Sequence, residues 1–374
     1  MSLTKEAQSV AASAALLSNG TPLIDLRAPK EFLLGSFPHA INLPLMSDED
    51  RHQVGLRYRQ AGQAAAIALG EQLVSGEVRA SRLQHWREAL AAQPTSVLYC
   101  WRGGLRSSFV QHWLAASGVE IPRVIGGYKA LRHIALDALT QIQTHSRPVF
   151  VLGGATGSGK TVLLRTFDAT VDLEALAQHR GSAFGGDASA QPSQTSFENA
   201  LACALLQQWR TPVEATFFED EARMIGRCAL PEALYLRLKS SPLVVVEVPC
   251  IDRALHIQSE YVDAPLATLM ASGDATPHRT LATTLTDSLL RIRRRLGGLQ
   301  HAQIEENLAA AFADHERTGD AGRHVQWISA LLEHYYDPMY AYQLDKQRDR
   351  VVLRGDTREV RDFLAAQLRR APAR

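Results

Sequence analysis

The residues Gly154-Ala155-Thr156-Gly157-Ser158-Gly159-Lys160-Thr161 constrain this chain more than any other segment. They satisfy G-x-x-x-x-G-K-[ST] at every fixed position. An apolar run over 148–152 precedes them, and helical texture follows over 161–167. That order of strand, glycine turn and helix is the context the motif requires, and it builds a parallel α/β sheet. The glycines let successive backbone N–H groups turn inward around phosphate oxygens, and a helix N-terminus adds a favourable dipole. Lys160 then neutralises a terminal phosphate, and the Thr161 hydroxyl is a candidate magnesium ligand. A glycine-rich turn without a ligand is the competing reading; the complete match in its proper context outweighs it.

Acids at the ends of later strands are the candidates to complete such a site. Phe217-Phe218-Glu219-Asp220-Glu221 closes an expected strand over 213–218, and Glu247 lies in an unbroken apolar strand over 243–248. Strand C-termini of a parallel sheet gather at the ligand crevice. Asp220 is the expected magnesium partner of Thr161. Glu219 and Glu247 are further candidates, each balanced against a role as a solvated cap. Asp172 reads first as a helix cap and second as a crevice residue. His179 and Arg180 are candidate phosphate contacts.

The same grammar appears earlier in the chain. The apolar strand Ser96-Val97-Leu98-Tyr99 leads into Cys100-Trp101-Arg102-Gly103-Gly104-Leu105-Arg106-Ser107, and a helix follows over 108–117. A thiol at a strand end, ahead of two glycines and an arginine, sits where amides and a guanidinium converge. Such a setting favours the thiolate and stabilises an anion carried on sulfur. Cys203 and Cys228 lack this company and read as inert core; Cys250 follows a strand but has neither glycine nor arginine beside it and reads as structural. Strands over 22–27 and 123–128 complete a first sheet. The polar stretch 140–147 ends at Pro148 and marks a boundary. Two α/β domains follow: 1–146, with a helical insertion at about 48–92, and 147–374, a parallel sheet with added helices. The second carries helices over 197–209 and 281–312, then a strand over 351–353 and a helix opened by the capping-box pair Asp356 and Glu359.

Charge excludes one class of function. Lys and Arg total 40 against 39 Asp and Glu, a formal net of +1. A general polyelectrolyte binder is excluded, and any nucleic-acid contact is a local patch. Arg291, Arg293, Arg294 and Arg295 are one candidate patch, balanced against a solvated helical face. Four cysteines without CxxC spacing indicate a reducing compartment. No stretch approaches 18 apolar residues, so no membrane span is expected. The reading is a soluble, cytoplasmic protein.

Residues 23–44, 100–107 and 125–128 together resemble a rhodanese domain, the sulfurtransferase fold whose cysteine carries a persulfide. Rhodanese loops place four residues between cysteine and arginine; here there are five, as in the related Cdc25-type phosphatases that hold a phosphate. The roomier cradle suits a larger chalcogen or a phosphorylated donor. A rhodanese domain ahead of a P-loop domain is a rare combination, and nearly the whole chain resembles the tRNA 2-selenouridine synthase family. Blocks 62–70, 171–174, 179–185, 219–226 and 335–340 carry that resemblance.

The resemblance implies a reaction at the wobble 2-thiouridine of tRNA. Its sulfur is geranylated from geranyl diphosphate, and the S-geranyl group is then replaced by selenium from selenophosphate. It implies Cys100 as a perselenide carrier, with Arg106 and the loop Trp101, Arg102, Gly103, Gly104 and Leu105 holding the anion. The diphosphate falls to the 154–161 loop. Gly70, which alone reads as a helix C-cap, is brought towards the rhodanese-like site. The enzyme that produces selenophosphate is an implied partner. Tyr335, Tyr336 and Tyr340 read as packing between domains, with base stacking or a prenyl pocket as alternatives. Three other functions compete: an ATP-dependent tRNA sulfurtransferase, a dual-specificity phosphatase, and a nucleotide-gated selenium carrier without tRNA chemistry of its own.

Overall fold

The computed structural model describes residues 8–179 and 191–368. The chain divides into two compact units, Met1–His145 with Pro192–Thr211, and Ser146–Gln191 with Pro212–Arg374.

The first unit is built on five parallel strands: β1 (Ser9–Ala11), β2 (Leu23–Asp25), β3 (Ala40–Asn42), β4 (Val97–Tyr99) and β5 (Arg123–Ile125). Their order is β1-β5-β4-β2-β3. Every residue of β2 and β4 is buried, as expected of inner strands covered by helices on both faces. Ile24, Leu98, Val110 and Leu114 form the centre of this core with Trp86 from the insertion. The Trp86 indole donates to the Leu43 carbonyl at 3.0 Å. The insertion is two helices, Asp48–Leu73 and Gly76–Ala92. Ser47 and Asp50 form a capping box at the start of the longer one, which is broken inside by Gly62 at φ 77°.

Helix Gln194–Arg210, which the sequence reading assigns to the second domain, packs in the first unit. Asn199, fully buried, donates to the Ser36 carbonyl at 2.9 Å and to the Tyr128 hydroxyl at 3.3 Å. Its Oδ1 accepts from Arg132 at 2.8 Å. The local pattern of a helix states that one face is apolar; it does not state which sheet that face will cover.

The second unit contains β6 (Val149–Gly154), β7 (Thr216–Glu219), the short antiparallel pair β8 (Met224–Ile225) and β9 (Cys228–Ala229), then β10 (Leu243–Val246) and β11 (Val351–Gly355). Its main sheet is parallel throughout, in the order β11-β10-β6-β7. Leu152, Phe217, Val244 and Val246 fill its core against Leu164 and Val360. The predicted capping box opens helix Thr357–Gln367: Glu359 N donates to Asp356 at 2.8 Å and Asp356 N to Glu359 at 2.9 Å.

Helices between β10 and β11 bury a second core around Leu289, Ile304, Leu308, Trp327 and Ile328. Two π turns interrupt them, Ser259–Asp263 and Leu332–Tyr336. Pro265 and Pro338 follow immediately. Proline has no N–H to give the carbonyl four residues back, so the helix widens there instead of continuing regularly. Both π turns place tyrosines at the site described below. No helix among the described residues is long and apolar enough to cross a membrane.

Candidate functional sites

The 154–161 loop leaves β6 at its C-terminal end, where the other strands of this parallel sheet also terminate. Gly157 and Gly159 stand at φ 80° and 72°, the left-handed region that only glycine enters cheaply. A Cβ on Gly157 would lie 2.7 Å from Ile257 and 2.9 Å from the Arg253 carbonyl, so glycine is required by space as well. The helix after the loop is only Lys160–Leu164, shorter than the sequence texture suggests. A phosphate held by this loop would rely on the loop amides and Lys160 more than on a long helix dipole. Lys160 Nζ lies over its own loop, donating to the Gly154 carbonyl at 2.9 Å.

Arg253, which no sequence motif marked, fastens this loop. Buried to 5% exposure, it donates to the Thr156 carbonyl at 3.1 Å and the Val248 carbonyl at 3.1 Å. Its two terminal nitrogens grip Asp337 at 2.8 and 2.7 Å. Asp337 belongs to the 335–340 block, so half of the pair was visible in the sequence. His256 Nδ1 meets the Gly157 carbonyl at 3.0 Å.

The acids sort differently from expectation. Asp220 does not pair with Thr161; it accepts from Lys239 at 2.8 Å and Arg350 at 3.0 Å. Glu219 is the acid nearer the loop: Lys160 first, and then the Thr161 hydroxyl, oppose the effect of its burial. β7 ends at Glu219, and the Glu221 N–H turns back to the Glu219 carbonyl at 3.0 Å; all three acids line one cavity, with Asp220 held by its basic partners. Glu219, Glu221 and Glu174 bring carboxylate oxygens within 4.8 Å of one another. Burial chiefly, opposed by Lys160, lifts Glu219 to about 7; burial and the neighbouring Glu174 and Glu219 lift Glu221 to about 8. Three carboxylates this close together form a hard oxygen donor set suited to a divalent cation such as magnesium.

Glu247 stands apart, exposed and paired with Arg354 at 2.7 Å. Asp172 caps helix Leu173–Ala177, accepting from Ala175 N at 2.8 Å, and also holds Arg165 at 2.8 Å. His179 lines the cavity at this site. Arg180 and the rest of the 180–185 block lie outside the described residues.

That cavity encloses about 940 Å³. Lys160, Glu219 and Glu221 stand on its polar wall; Tyr261, Tyr336, Met339 and Tyr340 stand among its other lining groups. A smaller apolar crevice opens beside Thr156, walled by Ile257, Tyr261, Trp327, Ile328, Leu331 and Tyr336. The tyrosine block thus lines a cleft beside the phosphate loop.

In the first unit, Cys100 follows β4 and is 3% exposed. Its Sγ lies 3.4 Å from the Ser107 hydroxyl, on the first turn of helix Leu105–Ala116. Gly104 caps that helix without a side chain, so no side chain closes over its first N–H groups. The loop is interlocked with the one after β5. A Cβ on Gly103 would sit 2.4 Å from the Val124 carbonyl, and one on Gly127 would sit 2.2 Å from the Cys100 carbonyl. Tyr128 N donates to that Cys100 carbonyl at 2.8 Å.

Arg106 lies on the same first turn and donates to Glu31 at 2.8 Å. Burial opposes ionisation of Glu31, but Arg106, with help from Arg51, holds its carboxyl below the usual value. Trp101 stacks on Tyr128 at 5.4 Å, and Arg27, ion-paired to Asp25 at 2.6 Å, lies over the same Tyr128 ring at 3.7 Å. Arg102, Gly104 and Leu105 are exposed around the loop while Gly103 is buried. Glu31 and Arg27 carry no motif of their own. Gly70 is no C-cap: it lies inside helix Asp48–Leu73, buried, where a Cβ would approach Met46 at 3.1 Å.

Fold and sites together define a class: an α/β unit with a P-loop and converging carboxylates, joined in one chain to a parallel α/β unit with a single-cysteine loop. Residues 147–371 match the family model described as the tRNA 2-selenouridine synthase AAA domain. A tRNA 2-selenouridine synthase of Hahella chejuensis is 51% identical over 352 residues, 94% of this chain and 92% of that one. Those of Aeromonas salmonicida and Shewanella frigidimarina are 47% and 43% identical, each covering 95% of the relative and 95% and 93% of this chain. The chain belongs to the tRNA 2-selenouridine synthase family.

Proposed function

We propose that this protein converts 2-thiouridine to 2-selenouridine at the wobble position of tRNA through an S-geranyl intermediate. The observation that carries the reading is one cavity of about 940 Å³ that holds the 154–161 loop on one side and Ile257, Tyr261, Tyr336, Met339 and Tyr340 on another. A prenyl diphosphate has that division of polarity: two phosphates for the 154–161 amides and Lys160, a hydrocarbon chain for the Ile257, Tyr336 and Met339 wall. In the first step the thiocarbonyl sulfur bonds to the allylic carbon, the carbon–oxygen bond breaks, and the base loses its ring N–H proton. Fixed amides and Lys160 stabilise the departing diphosphate without reorganising. Thr161, Glu219, Glu221 and Glu174 would hold magnesium, which when bound screens phosphate charge.

In the second step hydrolysis of the P–Se bond of selenophosphate releases phosphate and selenide, and the selenide attacks Cys100 Sγ held as a mixed disulfide with a small thiol, expelling that thiol and leaving a perselenide. Its selenium bonds to C2 of the base and the geranyl thiol departs; the small thiol then attacks Cys100 Sγ, which breaks the S–Se bond, frees the selenocarbonyl product and restores the mixed disulfide. The uncapped amides at Leu105 and the fork of Arg106 favour the anionic carrier.

Mass spectrometry of nucleosides from thiolated tRNA, incubated with geranyl diphosphate and selenophosphate, tests both steps. Cys100→Ser should accumulate S-geranyl-2-thiouridine and form no 2-selenouridine, because a serine hydroxyl forms no perselenide. Normal selenouridine from that variant overturns the carrier. Absence of the geranylated nucleoside from wild type and variant alike overturns the two-step route.

A further inference from the structure

The insertion of the first unit contains a helix with almost nothing packed on it. Across residues 51–64 only Val54 and Gly55 are even half-buried, and the first buried side chain of helix Asp48–Leu73 is Ala66. A segment of that length, about 20 Å of helix, is marginal in water without a packing face. Its root is firmly held: Ser47 and Asp50 cap it, Arg82 pairs with Asp50 at 3.4 Å, and Lys30 N donates to Asp48 at 2.9 Å. It projects from the rim of the cysteine loop, because Glu31 takes both Arg51 (3.3 Å) and the loop's own Arg106 (2.8 Å).

The free part of this arm has one sign of charge. Between Asp50 and Glu71 there is no acidic residue, while Arg51, Arg57 and Arg59 are present. Among the described residues Arg57 and Arg59 have no acidic partner within 4 Å. Between them Tyr58 is 57% exposed. Successive helical positions turn by about 100°, so the two arginines flank the ring on opposite sides. An aromatic ring with a guanidinium on each side matches one unpaired nucleotide: a base to stack on the ring and a phosphate on either side of it.

We propose that the arm formed by residues 51–61 is a docking surface for a single-stranded loop of the RNA substrate, with Tyr58 as the stacking platform and Arg57 and Arg59 as phosphate clamps. This rests on tRNA being the substrate, as proposed above. It adds a contact surface rooted at the cysteine loop, and charge complementarity chooses RNA over a protein partner. Arg57 and Arg59 are positioning residues for the selenium step.

Binding of full-length thiolated tRNA to the intact protein, followed by fluorescence anisotropy across a salt series, tests the arm. R57Q/R59Q should bind more weakly and lower the log–log salt slope by about 1.5, the contribution of two phosphate contacts. R57K/R59K, which keeps the charge, should retain most of that slope. Tyr58→Ala should weaken binding about tenfold with the slope unchanged, since stacking releases no counterions. All these positions are exposed, so melting temperatures should match wild type. Wild-type affinity and slope in R57Q/R59Q would overturn the arm while leaving the tRNA reading intact. A wild-type protein that does not bind tRNA would overturn both.

Discussion

Replacing Asp337 by Asn tests how the phosphate loop is held. Arg253 is 5% exposed and makes four hydrogen bonds, two to carbonyls and two to the Asp337 carboxylate at 2.8 and 2.7 Å. Asparagine keeps one acceptor but turns an NH₂ towards a guanidinium N–H and removes the countercharge. Breaking a buried ion pair costs about 3–5 kcal/mol, and a hydrogen bond to a charged group contributes about 1.5–3 kcal/mol. The Asp337 side chain is 32% exposed, so water replaces part of the loss. About 3 kcal/mol remains, which for a unit of roughly 200 residues lowers the midpoint of thermal unfolding by about 6–12 °C. Because Arg253 also fixes the Thr156 carbonyl, diphosphate affinity should fall in the same variant, measurable by calorimetric titration. R253M/D337L, which substitutes apolar groups for both charges, should recover much of the stability but not the affinity. An Asp337→Asn protein with unchanged melting and unchanged diphosphate binding would refute the role assigned to this pair.

Lys160→Ala should abolish geranylation, while tRNA supplied already S-geranylated should still be selenated; wild-type geranylation would place the diphosphate elsewhere. Replacing Arg291, Arg293, Arg294 and Arg295 together by Gln removes four exposed cations from one helix; if they meet tRNA phosphates the salt slope of binding falls, and an unchanged slope returns them to a solvated face. His324 is fully buried and held neutral, its imidazole lowered to about 4 by burial and by the nearby His315 and His278. The unfolded chain takes up that proton first, so stability is full above pH ~6.5 and falls as pH drops towards 4, by up to ~3 kcal/mol from this group. His324→Gln should flatten thermal stability over that interval, as followed by calorimetry; an unaltered acid limb would show that other groups set it.

The phosphate loop, the cysteine loop and the parallel sheets that carry them were legible in the chain because each is a local device. Glycine spacing, a strand before and a helix after are adjacent in sequence, and the chemistry follows from residues that touch their near neighbours. The box of Asp356 and Glu359 was legible for the same reason. What tertiary structure alone decided are partnerships between distant segments. Asp220 and Glu219 are adjacent and equally acidic; which of them lies nearer the phosphate loop depends on where Lys239 and Arg350 come to rest. Arg253 had no motif, and its importance appears only when β6, β10 and the 335–340 block converge on it. Helix Gln194–Arg210 has an ordinary apolar face, and only packing chose the first sheet for it. Glu31 gained a role when Arg106, 75 residues on, reached it. Gly70 read as a cap because glycine ends many helices, yet close approach of Met46 explains it. Sequence states what each segment is able to do at short range; burial and long-range pairing select among equivalent side chains, because a charge or a polar group taken from water must find its partner wherever the fold supplies one.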